Sequence, residues 1–140
     1  TGRTKNFINA CGEEVIVDNA IKALDVACKE TESRVDEYTA APLFEKGSDT
    51  IFHQWIIEFD KAPDDMQRFT EIFDKALQEV NSDYEAKRYK NLVLKMPQII
   101  SVPKGTFYQW LKTRGKLGGQ NKVPRLSNTR EYIEEILKLI

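Results

Sequence analysis

The sequence predicts an α+β fold, a small two-layer sandwich in which helices cover a mainly antiparallel or mixed sheet with a hairpin at its N-terminal end. Three observations carry that expectation: a strong strand pattern at residues 50–59, an amphipathic helix pattern at residues 64–80, and the segment order hairpin, helix, two strands, helix, strand, helix, loop, helix. Phe7-Ile8 and Val15-Ile16-Val17 are short β-prone runs around Asn9-Ala10-Cys11-Gly12, which reads as a hairpin with glycine at its tip. A helix follows at once. Asp18 suits its N-cap, and Ile21, Leu24 and Cys28 recur at helical spacing until the polar Glu30-Thr31-Glu32-Ser33 ends the pattern.

Residues 35–44 read as a strand through Tyr38 and Ala40, and Pro42, with no N–H for a neighbouring strand, suggests an edge or irregular position. In residues 50–59, Trp55, Ile57 and Phe59 share a face with His53, while Gln54 and Glu58 take the other. This strand pairs with the preceding one through a connection at residues 45–49. From 64 to 80, Met66, Phe69, Phe73, Ala76, Leu77 and Val80 trace one helical stripe. Residues 99–102 form a short apolar strand, and residues 106–114 a helix presenting Phe107, Trp110 and Leu111. Asn128 with Glu131 resembles a capping box opening a last helix with Tyr132, Ile133, Ile136 and Leu137.

A chain of 140 residues with 41% hydrophobic and 31% charged residues buries one ordinary core, so residues 1–140 read as a single domain. No apolar run approaches the length that crosses a bilayer, and the first residues lack a signal peptide's apolar centre. The start at Thr1, without an initiator Met, marks the chain as an expected fragment of a longer protein. Cys11 and Cys28 lack metal-ligand spacing, and the single histidine, His53, is far from both in sequence, so neither a zinc site nor any other metal site is expected. Two free thiols in a reducing cytoplasm are the plainer account.

Charge is unevenly spread. From Ala86 to Arg125 there is no acidic residue and there are ten Lys or Arg, although the whole chain carries a formal charge of only -1. The stretch ends in Arg114-Gly-Lys116-Leu-Gly-Gly-Gln-Asn-Lys122-Val-Pro-Arg125, where glycines let the backbone approach a ligand and cations can stabilise a phosphate or carboxylate. It is not a Walker A loop: Gly115-Lys116 is followed by Leu117, and no glycine precedes it at the required distance. Lys122 is the sharper candidate, because Pro124 restricts the chain beside it, with Lys116 in reserve. A solvated basic connector between helices is the competing account.

Glu13-Glu14 offers two carboxylates, but neighbours on a strand point to opposite faces, so a solvated hairpin is expected instead. His53 reads as a hydrogen-bonded core residue, since no nucleophile is arranged with it. Lys87, Arg88, Tyr89 and Lys90, then Tyr108, Trp110, Lys112 and Arg114, interleave cations with aromatics in a way that admits nucleic-acid binding. The place of Trp110 on an apolar stripe argues against it.

The opening Thr1-Gly2-Arg3-Thr4-Lys5-Asn6-Phe7-Ile8-Asn9-Ala10-Cys11-Gly12 resembles the hinge-and-hairpin motif of the adenylate-forming superfamily. His53-Gln-Trp-Ile-Ile-Glu-Phe59, Gly105-Thr106-Phe107 and Gly119-Gln-Asn-Lys122-Val-Pro-Arg125 are similar, in order along the chain, to the C-terminal domain of the auxin-responsive acyl-acid amido synthetases and their bacterial relatives. The resemblance implies a mobile C-terminal lid, inactive alone, of an ATP-dependent ligase whose N-terminal adenylation domain, the expected partner, holds most of the ATP and Mg2+. Such an enzyme adenylates a small carboxylic acid and transfers the acyl group to an amino acid's amine, in the cytoplasm and without membrane or nucleic acid.

Carried over residue by residue, it implies Lys122 as the mobile adenylation lysine, with Arg3 and Arg125 near the nucleotide. Lys5 falls at a hinge near residues 3–6, and Asn9 and Gly12 fall on the face used in the second step. The superfamily's lysine usually follows a glycine directly, as Lys116 does and Lys122 does not, which keeps both in play. The alternatives are the lid of an acyl-CoA synthetase and a basic nucleic-acid or protein interaction module.

Overall fold

A computed structural model describes residues 7–45, 47, 50–91, 93–113 and 125–140. Strands β1 (Phe7–Ile8) and β2 (Val15–Ile16) pair antiparallel with Phe7 opposite Ile16, giving the expected hairpin. Helix α1 (Val17–Thr31) starts two residues earlier than its sequence signal. Asp18 is therefore inside the first turn rather than at the N-cap. The cap position is Ile16, which has no capping side chain; its own N–H donates to Asn19 Oδ1 at 3.0 Å, the reciprocal half of a capping box.

The main sheet has the order β3-β4-β5, with β3 (Arg34–Phe44), β4 (Ile51–Lys61) and β5 (Gln98–Val102). β3 and β4 are antiparallel, with Pro42 opposite His53 on the edge strand where a missing N–H is tolerated. β5 joins β4 in parallel, Gln98 opposite Gln54, after a crossover through α2 (Met66–Val80) and α3 (Ser82–Arg88). Two further helices follow, α4 (Thr106–Thr113) and α5 (Glu131–Leu137).

Alternation along β4 sends successive side chains to opposite sides of the sheet, and both sides are covered. Trp55, Ile57 and Phe59 pack with Phe69, Phe73 and Leu77 of α2 and with Ala20, Ala23, Leu24 and Ala27 of α1. The rings of Trp55 and Phe73 meet edge to face at 4.8 Å, as do Phe59 and Phe69 at 5.2 Å. On the other side, Ile56, Ala41 and Val102 pack with Phe107, Trp110, Ile133 and Ile136. Glu58 faces that second layer and accepts from the Phe107 N–H at 2.9 Å, capping α4 from across the sheet. Arg130 fastens the start of α5 to the sheet through Pro42 O and Gln54 Oε1.

Two sequence expectations change here. Leu24 and Cys28 of α1 pack on the core as expected, but Ile21 is 54% exposed and Ala20, Ala23 and Ala27 complete the buried stripe, small side chains that let α1 lie close against α2. Asn128 does not cap α5, whose N-cap position is Arg130. Its side chain turns instead to the hairpin, where Oδ1 accepts from the Asn9 N–H at 2.8 Å.

Candidate site: a tethered hairpin turn beside the return of the cationic loop

Four side chains, Asn9, Glu13, Asn128 and Asn81, hold the turn between β1 and β2. Gly12 N–H donates to Asn9 Oδ1 at 2.8 Å, closing the tip, and Gly12 itself sits at φ +100°, a conformation that glycine adopts without strain. From beneath, Glu13 accepts the Ala10 N–H at 2.8 Å and the Cys11 N–H at 2.7 Å. On one flank Asn128 holds Asn9, and on the other Asn81 Nδ2 donates to Glu14 O at 3.1 Å and to Asn19 Oδ1 at 3.1 Å.

Glu13 is the centre of this arrangement and overturns the expectation of a solvated hairpin. Its side chain is fully buried and takes a third contact from His53 Nε2 at 2.7 Å. Glu14, in a left-handed conformation at φ 39°, turns the chain so that only its neighbour points inward. Burial alone would raise the Glu13 carboxyl, but the His53 contact and the two backbone N–H groups stabilise the carboxylate and bring it down to about 2. Because that carboxylate can only accept, His53 Nε2 carries the hydrogen. The core placement expected for His53 holds, since it is 1% exposed. Burial, and then the Glu13 charge, push the Cys11 thiol up to about 12, which keeps it protonated and unreactive.

Behind His53 stands a second buried polar group, and its ring packs on that of Tyr84 at 5.7 Å between centroids. Tyr84 Oη donates to Asp74 Oδ1 at 2.5 Å, and Arg88 reaches the same carboxylate twice, Nε to Oδ1 at 2.8 Å and Nη2 to Oδ2 at 2.6 Å. Arg88 Nη1 also donates to Leu94 O. Asp74 holds the Arg88 guanidinium further above its ordinary range, and burial drives the Tyr84 hydroxyl well above its own. Arg88 is therefore structural and cannot serve as an outward phosphate contact. Trp110 is likewise buried, which breaks the alternation of cations and aromatics on which nucleic-acid binding would depend.

Of the residues singled out in the sequence, Asn9, Gly12 and Arg125 are described, whereas Arg3, Lys5, Lys116 and Lys122 lie outside the described residues. Arg125 is where the cationic loop rejoins the sheet. Its Nη1 contacts Glu37 Oε1 at 2.6 Å and Tyr38 O at 3.1 Å, and its guanidinium lies 4.7 Å from the Tyr38 ring centroid. Its backbone binds the edge of β3: Ala40 N–H donates to Arg125 O at 2.9 Å and Ser127 N–H to Ala40 O at 3.1 Å. Three residues after Arg125, Asn128 grips the hairpin turn. The hairpin turn thus meets, through Asn9 and Asn128, the segment that runs along the edge of β3 from Arg125 onward. Among the described residues no group of three or more His, Cys, Asp or Glu could hold a metal ion, and no helix is long and apolar enough to cross a membrane.

The sequence singles out neither Asn81 nor Asp74, and it assigns Glu13 to a solvated hairpin, Asn128 to a helix cap and Arg88 to a basic run, none of which is its place in the structure. A usable signal existed for α3, since Asn81 is followed by Asp83 and Glu85 in the first turn and Lys87 and Arg88 in the last, the order a helix dipole favours. An α+β sandwich bearing a tethered N-terminal hairpin is the class that this geometry defines. Comparison supplies the family: the model of the GH3 family C-terminal domain matches residues 18–131, and the chain belongs to that family. The resemblance read from the motifs is borne out.

Solved structures agree on the fold. A GH3.15 acyl acid amido synthetase superposes with a TM-score of 0.73 at 18% identity, covering 96% of this chain and 26% of that one. AtGH3.15 acyl acid amido synthetase in complex with 2,4-DB superposes with a TM-score of 0.71 at 14% identity, covering 96% and 25%. The chain thus spans about a quarter of the length of these proteins. No curated protein sequence matches it.

Proposed function

We propose that this chain is the C-terminal lid of an ATP-dependent acyl-acid amido synthetase, acting with an N-terminal adenylation domain on a small carboxylic acid and an amino acid. The observation that carries the reading is the bond from Asn9 of the tethered turn to Asn128, three residues after Arg125 pairs with the edge of β3, within a domain of the GH3 C-terminal family. In the first half-reaction Lys122 stabilises the charge that builds as the carboxylate attacks the α-phosphate, in a site closed from water. Lys116 is the reserve for that role. Arg3 and Arg125 lie near the nucleotide, and Lys5 serves as the hinge about which the lid turns. The turn at Asn9 and Gly12 then faces the acyl adenylate while the amine attacks. ATP and magnesium would be held mainly by the N-terminal domain of the parent protein. The parent works in the cytoplasm.

Acid-dependent pyrophosphate exchange in the full-length parent tests this directly. Lys122→Ala should lower exchange by about a hundredfold or more, with the fold unchanged by circular dichroism. Wild-type exchange in Lys122→Ala combined with its loss in Lys116→Ala would move the role to Lys116. Supplying coenzyme A and a panel of amino acids with labelled acid should yield an amide, and a thioester product would replace the assignment with that of an acyl-CoA synthetase.

A further inference from the structure

Glu13 is not needed to close the hairpin, because two residues at each strand pair without it and Asn9 closes the tip. Yet a carboxylate is buried there completely, which costs heavily unless every lone pair it exposes is satisfied. Here the cost is offset by three donors, two of them consecutive backbone N–H groups of the turn itself and the third a buried imidazole on β4. The imidazole is rigid in its turn, packed against Tyr84, whose hydroxyl is locked to Asp74. Through Glu13 the exposed turn is coupled to the buried polar groups of the core.

We infer that Glu13 is a positioning residue for the second half-reaction: the Glu13–His53 pair presets the Asn9–Gly12 turn in the shape that receives the acyl adenylate. The inference rests on the reading proposed above and deepens it. Ala10 and Cys11 direct their N–H groups inward at Glu13, so across the same trans peptide planes the carbonyls of Asn9 and Ala10 turn outward, beside the exposed Gly12. Without the carboxylate the two N–H groups lose their partner and the turn can rotate its peptide planes, which displaces the surface that it offers. Displacements of that kind slow a reaction without touching the reacting atoms.

The test separates the two half-reactions in the full-length parent. Glu13→Gln keeps the size of the side chain but accepts at only one oxygen, and its amide opposes the His53 Nε2 hydrogen. Amide formation from preformed acyl adenylate should fall by about tenfold or more, while acid-dependent pyrophosphate exchange stays within about twofold. Hydrogen exchange at the Ala10 and Cys11 amides should rise in the same variant. His53→Gln, which retains an N–H for the carboxylate, should recover most of the amide-forming rate relative to His53→Phe.

Should Glu13→Gln fail to fold, Asn128→Ala cuts the outer tether on Asn9 without disturbing the core, and a selective loss of amide formation is again expected. Equal loss in both half-reactions would reduce Glu13 to a structural residue, and unchanged amide formation with loosened amides would overturn the inference. If the wild-type parent lacks acid-dependent exchange altogether, the proposed function itself falls, an outcome distinct from either.

Discussion

At the scale of single residues, buried charge decides what this domain tolerates. Arg88 makes two contacts to Asp74 and one to Leu94 O, and both side chains of the pair are almost wholly enclosed. Exposed pairs such as Lys29 with Asp25 are a different matter, because solvent screens them. Arg88→Met should leave Asp74 and Tyr84 sharing a carboxylate with no cation, and should cost about 3–5 kcal/mol in chemical denaturation of this chain. Asp74→Leu combined with Arg88→Met should recover much of that loss, since an apolar pair of similar volume avoids the desolvation penalty. A single-variant cost below about 1 kcal/mol would show that the pair contributes nothing by its burial. The sequence placed Arg88 in a basic run beside Lys87 and Lys90, and nothing local distinguishes it from them. Only Asp74, fourteen residues earlier, makes it structural.

At the scale of elements, legibility followed apolar periodicity. α2 and β4 were read closely because their large side chains alternate at the period of their secondary structure. α3 was not read, since its seven residues contain only Tyr84 and Ala86 as apolar side chains and its inward contacts are ionic. On α1 the spacing predicts Leu24 and Cys28 against the core correctly but Ile21 wrongly, because the buried face is completed by Ala20, Ala23 and Ala27, whose small side chains carry little apolar signal. Substitutions check this ordering. Ala23→Leu should destabilise by about 1–3 kcal/mol through overpacking against α2, whereas Ile21→Ser should change stability by no more than about 0.5 kcal/mol. The reverse order in thermal or urea melts would restore the stripe expected from the sequence. The site was legible only in part. The glycine turn and the cationic loop announce themselves by composition, but the side chains that join them, Glu13, Asn81 and Asn128, are short polar residues whose partners are distant in sequence.

At the scale of the whole molecule, one sheet serves two cores, and the tie between the hairpin and β4 makes the hairpin part of global stability. Glu13 gives that tie a signature in pH. Its carboxyl is held at about 2 in the folded chain against an ordinary 4.5, so between those values the unfolded chain binds more protons. Stability from Glu13 is therefore fully present above about pH 4.5 and is lost as pH falls towards 2. From linkage, that loss amounts to roughly 2 kcal/mol by pH 3. Asp60 is also lowered, by Lys104 and then Arg34, and pushes in the same direction from the surface. The difference between wild type and Glu13→Gln isolates Glu13, because Asp60 is present in both. Urea denaturation of the two proteins at pH 6 and pH 3 should show the wild type losing about 2 kcal/mol more than the variant across that interval. Parallel losses would mean that the Glu13 carboxylate is no better stabilised in the folded chain than in water. The hairpin would then be a passive appendage of the sheet, and the coupling of turn to core would lose its physical basis.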